Sequence, residues 1–297
     1  MEFGVIEVSD KNYPKALKEA LKNLISSLGP KRLFYKGDID LLLDEKNCLA
    51  VVGSRHLTRY GRQSTEQIIT ECAAAGITIV SGFMYGGDEA AHSACVKAGG
   101  KTIAVMPCGI NLVHPPQQKD LYQKILDTGG LIISEYESNL QPQTWMYVQR
   151  DRIVAGLSKA VLVTEAALNS GSLITASYAK KYGRKIFALP GQITSEVSKG
   201  TLKLIKEGAE PVAEANDILS FYKVLLAQRS AKREVGVNQK TSITLEQKIL
   251  DYLKREPMNA DDLSRTLAVP VAQLGTTLSL MQLKGIIINE SGKFYVS

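Results

Sequence analysis

The chain has 297 residues, 44% hydrophobic and 22% charged, with a net charge of +6. That length accommodates one large α/β domain and a small satellite, and no apolar run reaches the roughly 18 residues of a membrane span. The start, MEFGVIEVSDKNYPK, lacks the basic head and apolar core of a secretory signal, and the four cysteines (Cys48, Cys72, Cys95, Cys108) contain no CxxC pair; both argue against a disulfide framework or a zinc site and for a cytoplasmic protein with reduced thiols.

The charge is uneven. Residues 221–240 hold five basic residues against one acidic, whereas residues 50–220 hold 17 against 15. A polyanion site in the central region must therefore be a local cluster rather than a broad basic field.

Residues 1–46 read as a lead-in packed on the core. Tyr13-Pro14 opens a helix over Lys15–Leu28, which Gly29-Pro30 ends. From residue 47 one pattern repeats. Short apolar runs at Cys48–Val52, Ile77–Val80, Thr102–Met106, Leu131–Ile133, Ala160–Val163 and Ile186–Leu189 alternate with helical stretches at Arg62–Ala75, Glu89–Ala98, Gln117–Asp127, Met146–Ala155 and Leu173–Tyr182. The runs are continuous rather than alternating, as in strands buried on both faces of a parallel sheet. The expected fold over 47–228 is a doubly wound α/β sheet. Ligands of such sheets bind outside the carboxyl ends of the strands.

Residues 229–241 (RSAKREVGVNQKT) are polar, without periodicity, and fit a linker. Residues 242–297 restart the pattern. Leu245, Ile249, Leu250 and Leu253 form one helical stripe. ADDLSRTL follows, opened by Asn259 or Ala260, and Val269-Pro270 breaks it. A third helix, Val271–Leu283, stops at Gly285, and Ile286–Ile288 pairs with Phe294–Val296 around Glu290–Lys293. Three helices and a hairpin describe a winged helix. The segment is net neutral and its third helix offers only Lys284 as a base, so its charge favours a docking or stabilising module over a reader of duplex DNA.

Three strand-end loops and one helical segment carry candidate chemistry. Gly53, Ser54 and Arg55 follow the first strand, where glycine lets the backbone approach a phosphate and Arg55 supplies a charge-assisted bond. Ser81-Gly82-Phe83-Met84-Tyr85-Gly86-Gly87-Asp88 follows the second, with Asp88 expected to cap the next helix and Tyr85 or Phe83 to stack a base. The loop after the first strand is not GxGxxG, and after the second strand Ser81-Gly82 stands where a ribose-binding carboxylate is needed, so no dinucleotide cofactor is expected. His92, in the helix that follows, reads as a structural histidine. Arg150 and Arg152 lie two apart and diverge by about 200° on a helix, so one faces the site while the other pairs with a carboxylate. Asn169-Ser170-Gly171-Ser172 precedes a helix whose N-terminus offers amides, dipole and the hydroxyls of Ser170, Ser172 and Thr175 to an anion. It lacks GK[ST], which argues against ATP hydrolysis. No metal or catalytic set is expected.

Taken together, VVGSR, SGxxxGxDxxAH, GGKTIAVMPCGI, IISEY, RDRIVAGLS, NSGSLITA, GRKIFALPG and KGTLKLIKEGA occur in the order found in the DprA/Smf family of DNA-processing proteins, which this chain resembles over about residues 30–220. The resemblance implies an extended Rossmann-like fold with a C-terminal winged helix that binds single-stranded DNA, forms a homodimer and helps load a RecA-type recombinase in natural transformation and recombination. It places phosphates on Arg55, Arg150, Arg152 and Lys199, and a DNA pocket at the second loop around Gly82 and Gly86. The family's SGLARGID differs here at Met84, Tyr85 and Gly87, so Tyr85 replaces an arginine of that pocket; FPxRNRII reads YVQRDRIV, which adds Asp151 beside the two arginines. About 30 residues precede the match, too few for the N-terminal helical domain common in the family. Two other readings are an interaction adaptor with weakened DNA binding, motivated by Tyr85, and a nucleotide-hydrolysing Rossmann protein with Glu135 or Glu165 as base.

Overall fold

The computed structural model describes residues 3–22, 29–43, 47–222 and 245–296, the last stretch without 255, 268, 284, 285 and 291. The expected linker, Lys284 and Gly285 fall outside the described residues. Two compact units are formed, Met1–Ala231 and Lys232–Ser297.

The first unit is built on a nine-stranded sheet. Its strands are β1 (Gly4–Glu7), β2 (Arg32–Gly37), β3 (Cys48–Val52), β4 (Thr78–Ser81), β5 (Thr102–Gly109), β6 (Leu131–Tyr136), β7 (Ala160–Val163), β8 (Lys185–Ala188) and β9 (Glu210–Pro211), in the order β1-β2-β6-β5-β4-β3-β7-β8-β9. Helices α1 (Lys15–Lys22), α2 (Arg59–Ala74), α3 (Gly87–Lys97), α4 (Lys119–Asp127), α5 (Thr144–Leu157), α6 (Ser172–Lys181), α7 (Lys199–Lys206) and α8 (Ala215–Tyr222) connect or flank them. Central β3 shows why its sequence is apolar without interruption. Cys48, Ala50 and Val52 pack on one side with α1, α5 and α6, and Leu49 and Val51 pack on the other with α2, α3 and α8. Each of the leucine and valine side chains among them, fully buried, contributes about 1.5–3 kcal/mol.

β3 pairs in parallel with β4 through Ala50 and Val80, and with β7 through Ala50 and Val161. The chain builds β4, β5 and β6 outward on one flank of β3, then crosses back to build β7, β8 and β9 on the other. This reversal opens a crevice at the carboxyl ends of β3 and β7, the usual ligand position in doubly wound sheets.

Within residues 47–228 the strands pair in parallel as expected; the sheet is mixed at one edge because the expected lead-in adds two strands to it. β2 runs antiparallel to β6 through Tyr35 and Ile133, and β1 antiparallel to β2 through Ile6 and Leu33. The first 43 residues thus extend the sheet as well as packing helix α1 on it. β1 has four residues with one buried side chain, too short for periodicity to show.

The second unit holds α9 (Leu245–Leu253), α10 (Ala260–Leu267), α11 (Val271–Leu283) and a hairpin of β10 (Ile287–Glu290) and β11 (Lys293–Val296). Ile249, Leu253, Leu263, Leu274, Leu278, Met281, Ile287 and Phe294 form its core. The Phe294 amide donates to the Met258 carbonyl at 2.8 Å, so a bridge from the α9–α10 turn extends the hairpin. This is the winged-helix arrangement expected from the sequence.

Candidate functional site

A cleft of about 550 Å³ lies at the carboxyl ends of β3, β4 and β7, roofed by α5 and the start of α6. Gly53 and Gly82 line it from the sheet. Arg55 comes from the loop after β3, Tyr147, Arg150 and Asp151 from α5, and Ser170, Gly171, Ser172 and Thr175 from the α6 entrance.

Glycine at two of these positions is a matter of space. A Cβ on Gly82 would collide with the Arg150 guanidinium, and one on Gly87 would stand 2.7 Å from the Gly53 Cα. The Gly87 amide donates to the Ser54 carbonyl at 3.0 Å and the Ser54 amide to the Glu165 carbonyl at 2.7 Å. The loops after β3 and β4 are thereby stitched to each other and to the end of β7.

Arg150 and Arg152 diverge as their spacing demands. Arg150 is buried over Gly82; Nη1 donates to the Val105 carbonyl at 3.1 Å and Nε lies 3.1 Å from Asp151 Oδ1. Arg152 leaves the cleft altogether. It is 2% exposed, 2.6 Å from Glu135, with Nη1 on the Gln149 carbonyl at 2.7 Å. It is a buried structural ion pair, which corrects its assignment as a phosphate ligand. Arg55 is the solvent-facing cation of the cleft, and its guanidinium sits 5.3 Å from the Tyr147 ring centroid. Tyr147 shares a 2.8 Å hydrogen bond with His114 Nε2, so its ring is held in place under Arg55.

Two carboxylates oppose these cations. Asp88 was expected to cap α3, but Gly86 occupies the cap, and Asp88 accepts instead from the Met84 amide at 3.2 Å. Burial pushes its carboxyl upward, against the pull of Arg150. Burial likewise pushes Asp151 up to about 7, with Arg150 and a hydrogen bond from Thr175 opposing. The charge in the cleft therefore changes near neutral pH.

The α6 entrance differs in detail from expectation. The Ser172, Leu173 and Ile174 amides donate to Ser170 Oγ, the Ser170 carbonyl and the Gly171 carbonyl at 3.4, 3.1 and 2.9 Å. These amides are spent locally, which leaves hydroxyls and the helix dipole to face a ligand. Ser170 and Ser172 hydroxyls lie 2.7 Å apart.

Other expected residues fall beside the cleft. Ser81 is buried and donates to the Val51 carbonyl at 2.6 Å. Ser54 turns back to the His56 carbonyl at 3.2 Å. Tyr85 does not line the cleft; its hydroxyl donates to Gln117 at 2.6 Å. Phe83 is fully buried against His92 and Tyr122 and cannot stack a base. Lys199, at the start of α7, pairs with Glu196. His92 is held by Thr102 at 2.7 Å and pushed down to about 3 by burial, a neutral structural residue. Glu135 is committed to Arg152, and Glu165 accepts from the Thr58 amide and hydroxyl at 2.8 and 2.6 Å. The contribution of Tyr147 was missed, although its place in the motif beside Arg150 was the available signal.

A second hollow, of about 920 Å³, lies at the amino ends of β7 and β8. It carries Lys159, Lys180, Arg184, Lys185 and Lys203. Lys185 stands 2.6 Å from Glu210, Lys180 and Lys203 face Glu207 at 4.0 and 3.9 Å, and Lys159 lies over the Phe221 ring at 5.4 Å.

A family model described as DNA recombination-mediator protein A matches residues 4–223, and one described as the DprA winged helix domain matches residues 238–293. The chain is 40% identical over 221 residues to DNA processing protein DprA of Streptococcus pneumoniae, covering 74% of this chain and 75% of that one. It is 32% identical over 318 residues to Protein Smf of Synechocystis sp., covering 96% and 78%. Among solved structures, the S. pneumoniae protein superposes with a TM-score of 0.66 at 38% identity over 74% of each chain. DNA processing protein A from Helicobacter pylori, solved for its single-stranded DNA binding mode, superposes with a TM-score of 0.64 at 30% identity, covering 77% of this chain and 97% of that one.

Proposed function

The chain belongs to the DprA family of DNA recombination-mediator proteins, and from that premise we propose that it binds single-stranded DNA in the cleft at the carboxyl ends of β3, β4 and β7. The observation that carries the reading is the pairing of a solvent-facing cation with a fixed aromatic, Arg55 over Tyr147, above a floor of close-packed glycine backbone and a hydroxyl-lined helix entrance. Arg55 would take a backbone phosphate, Ser170 and Ser172 would donate to its neighbours, and Arg150 would hold the floor while adding positive potential from below. Phosphate contacts of this kind are sequence-tolerant and depend on salt.

On this reading the protein is a binding mediator. It acts in the cytoplasm as a homodimer, protects incoming single strands and helps load a RecA-type recombinase during DNA uptake and recombination. The winged helix serves docking or stability. The test is fluorescence anisotropy of labelled oligo-dT against a duplex of equal length, across a salt series, with the full chain and with residues 241–297 removed. The expected result is preference for oligo-dT, a steep fall with salt, and little change on removing the tail. Absence of oligo-dT binding at low salt would overturn the reading.

A further inference from the structure

We infer that Asp151 reads the edge of one base of the bound strand and gives the cleft a preference for guanine; this rests on the single-strand reading above. The residues of α5 that line the cleft are Thr144, Tyr147, Val148, Arg150, Asp151 and Val154. At 100° per residue they span about 160° of the helix surface, and Asp151 stands about 20° from the middle of that stripe. The stripe also runs inward. Thr144 and Val148 are exposed, Tyr147 and Asp151 half-buried, and Val154 fully buried. Asp151 thus lies one turn, about 6 Å along the axis, further in than Tyr147, the ring that Arg55 covers. A nucleotide whose phosphate rests at Arg55 can direct its base to that carboxyl.

The surroundings suit a base. Buried Val52, Met84 and Val154, with Ile174, supply apolar lining, and Gly53 and Gly82 add no side chain to it. The volume of about 550 Å³ falls within the roughly 300–1,000 Å³ of pockets that enclose small organic ligands. The charged groups that face Asp151 are Arg150, Asp88 and Arg55. Arg150 Nε lies 3.1 Å from its Oδ1, and Thr175 gives it a hydrogen bond. These occupy two of the roughly four acceptor sites of a carboxylate and leave the others for a ligand. Asp88, more deeply buried, is turned to the Met84 amide. A carboxylate repels phosphate, so within a strand its counterpart is a base. When ionised it only accepts hydrogen bonds. Among Watson–Crick edges, guanine alone offers two adjacent donors, N1–H and the 2-amino group. Thymine offers N3–H between two carbonyls, and cytosine and adenine offer an amine beside an accepting ring nitrogen. Phosphate contacts carry no such information, so the preference is set at Asp151.

The experiment is a competition at low salt and pH 8, where a carboxyl raised to about 7 is ionised. Labelled oligo-dT is displaced from the full-length protein by unlabelled oligomers of equal length: oligo-dT, alternating dT-dG, and alternating dT-dI, whose hypoxanthine keeps N1–H and lacks the 2-amino group. Anisotropy is followed for the wild type and for Asp151→Asn, whose amide pairs one acceptor with one donor. The alternating dT-dG chain should bind the wild type about 5- to 150-fold more tightly than oligo-dT, the range of one good bidentate base contact, with dT-dI in between. In Asp151→Asn the preference for dT-dG should fall below about 2-fold while oligo-dT binds more tightly, because a negative charge has gone. Equal wild-type affinity for dT-dG and dT-dI would overturn the inference, since purine stacking alone treats them alike; this comparison needs no variant. A guanine preference that survives in Asp151→Asn would overturn it too. Equal affinity for oligo-dT and dT-dG would do the same and leave the single-strand reading standing. Absence of wild-type binding to every oligomer would remove the single-strand reading itself.

Discussion

The two ends of the same strands offer opposite answers to the question of what makes an anion site. The hollow at the amino ends holds five basic side chains, yet its lysines face Glu207 and Glu210 or lie over aromatic rings. The cleft at the carboxyl ends has only Arg55 and Arg150, yet one faces solvent above a fixed ring and the other is locked into the floor beside a carboxyl whose charge is lost near neutrality. Charge count and charge availability are different quantities. Exposed ion pairs like those of the hollow contribute about 0–1 kcal/mol and exchange readily with solvent ions, whereas a cation in a shaped, partly dry cleft acts at a defined place.

The contrast can be broken most severely at Arg150. Removing its side chain in Arg150→Ala leaves the Val105 carbonyl and Asp151 without their partner. The expected loss is about 3–5 kcal/mol of stability, read by denaturant unfolding, together with near-complete loss of oligo-dT binding. A next test sets the two ends against each other. Arg55→Ala should weaken oligo-dT binding about 10-fold and flatten the log–log salt slope by about 0.7, the share of one phosphate contact. Replacing Lys180, Lys185 and Lys203 together by alanine should change affinity by less than about 2-fold. A larger effect from the lysines than from Arg55 would reverse the assignment.

The smallest effect sharpens the role of Asp151. Its carboxyl is raised to about 7, so as pH falls through 7 it takes up a proton, the negative charge beside Arg150 disappears, and the cleft becomes more positive. Oligo-dT should bind roughly 3- to 10-fold tighter at pH 6 than at pH 8, and Asp151→Asn should flatten that dependence. Equal slopes in wild type and variant would show that Asp151 does not govern the cleft. His114, also near the cleft, is lowered from its usual value by burial and by Arg55, which moves its own charging further to the acid side.

Most of the architecture was legible because the physics was local. A strand buried on both faces must be apolar throughout, and β3 to β8 announced themselves that way. The divergence of Arg150 and Arg152 followed from helical geometry alone, although spacing could not say which of them faced the cleft. What escaped the reading was non-local. β1 and β9 are too short for a periodic signal and exist only because β2 and β8 offer them an edge. Asp88 looked like a cap because it precedes a helical stretch, but the helix begins earlier, at Gly87, and its carboxylate turns back to Met84. Tyr85 matched a position in the second loop, yet that loop folds with Met84 toward the cleft and Tyr85 toward Gln117. The α6 entrance promised open amides, and only the observed turn revealed that they bond within it.

The contact between Gly53 and Gly87 has a consequence for how the cleft can change over time. Two backbones from separate loops rest against each other where neither has room for a side chain, so a mutation at one position is not rescued by any change at the other that adds atoms. The shape of the floor is thus inherited as a unit, while the residues that stand on it, Arg55 and Tyr147, are free to be exchanged one at a time.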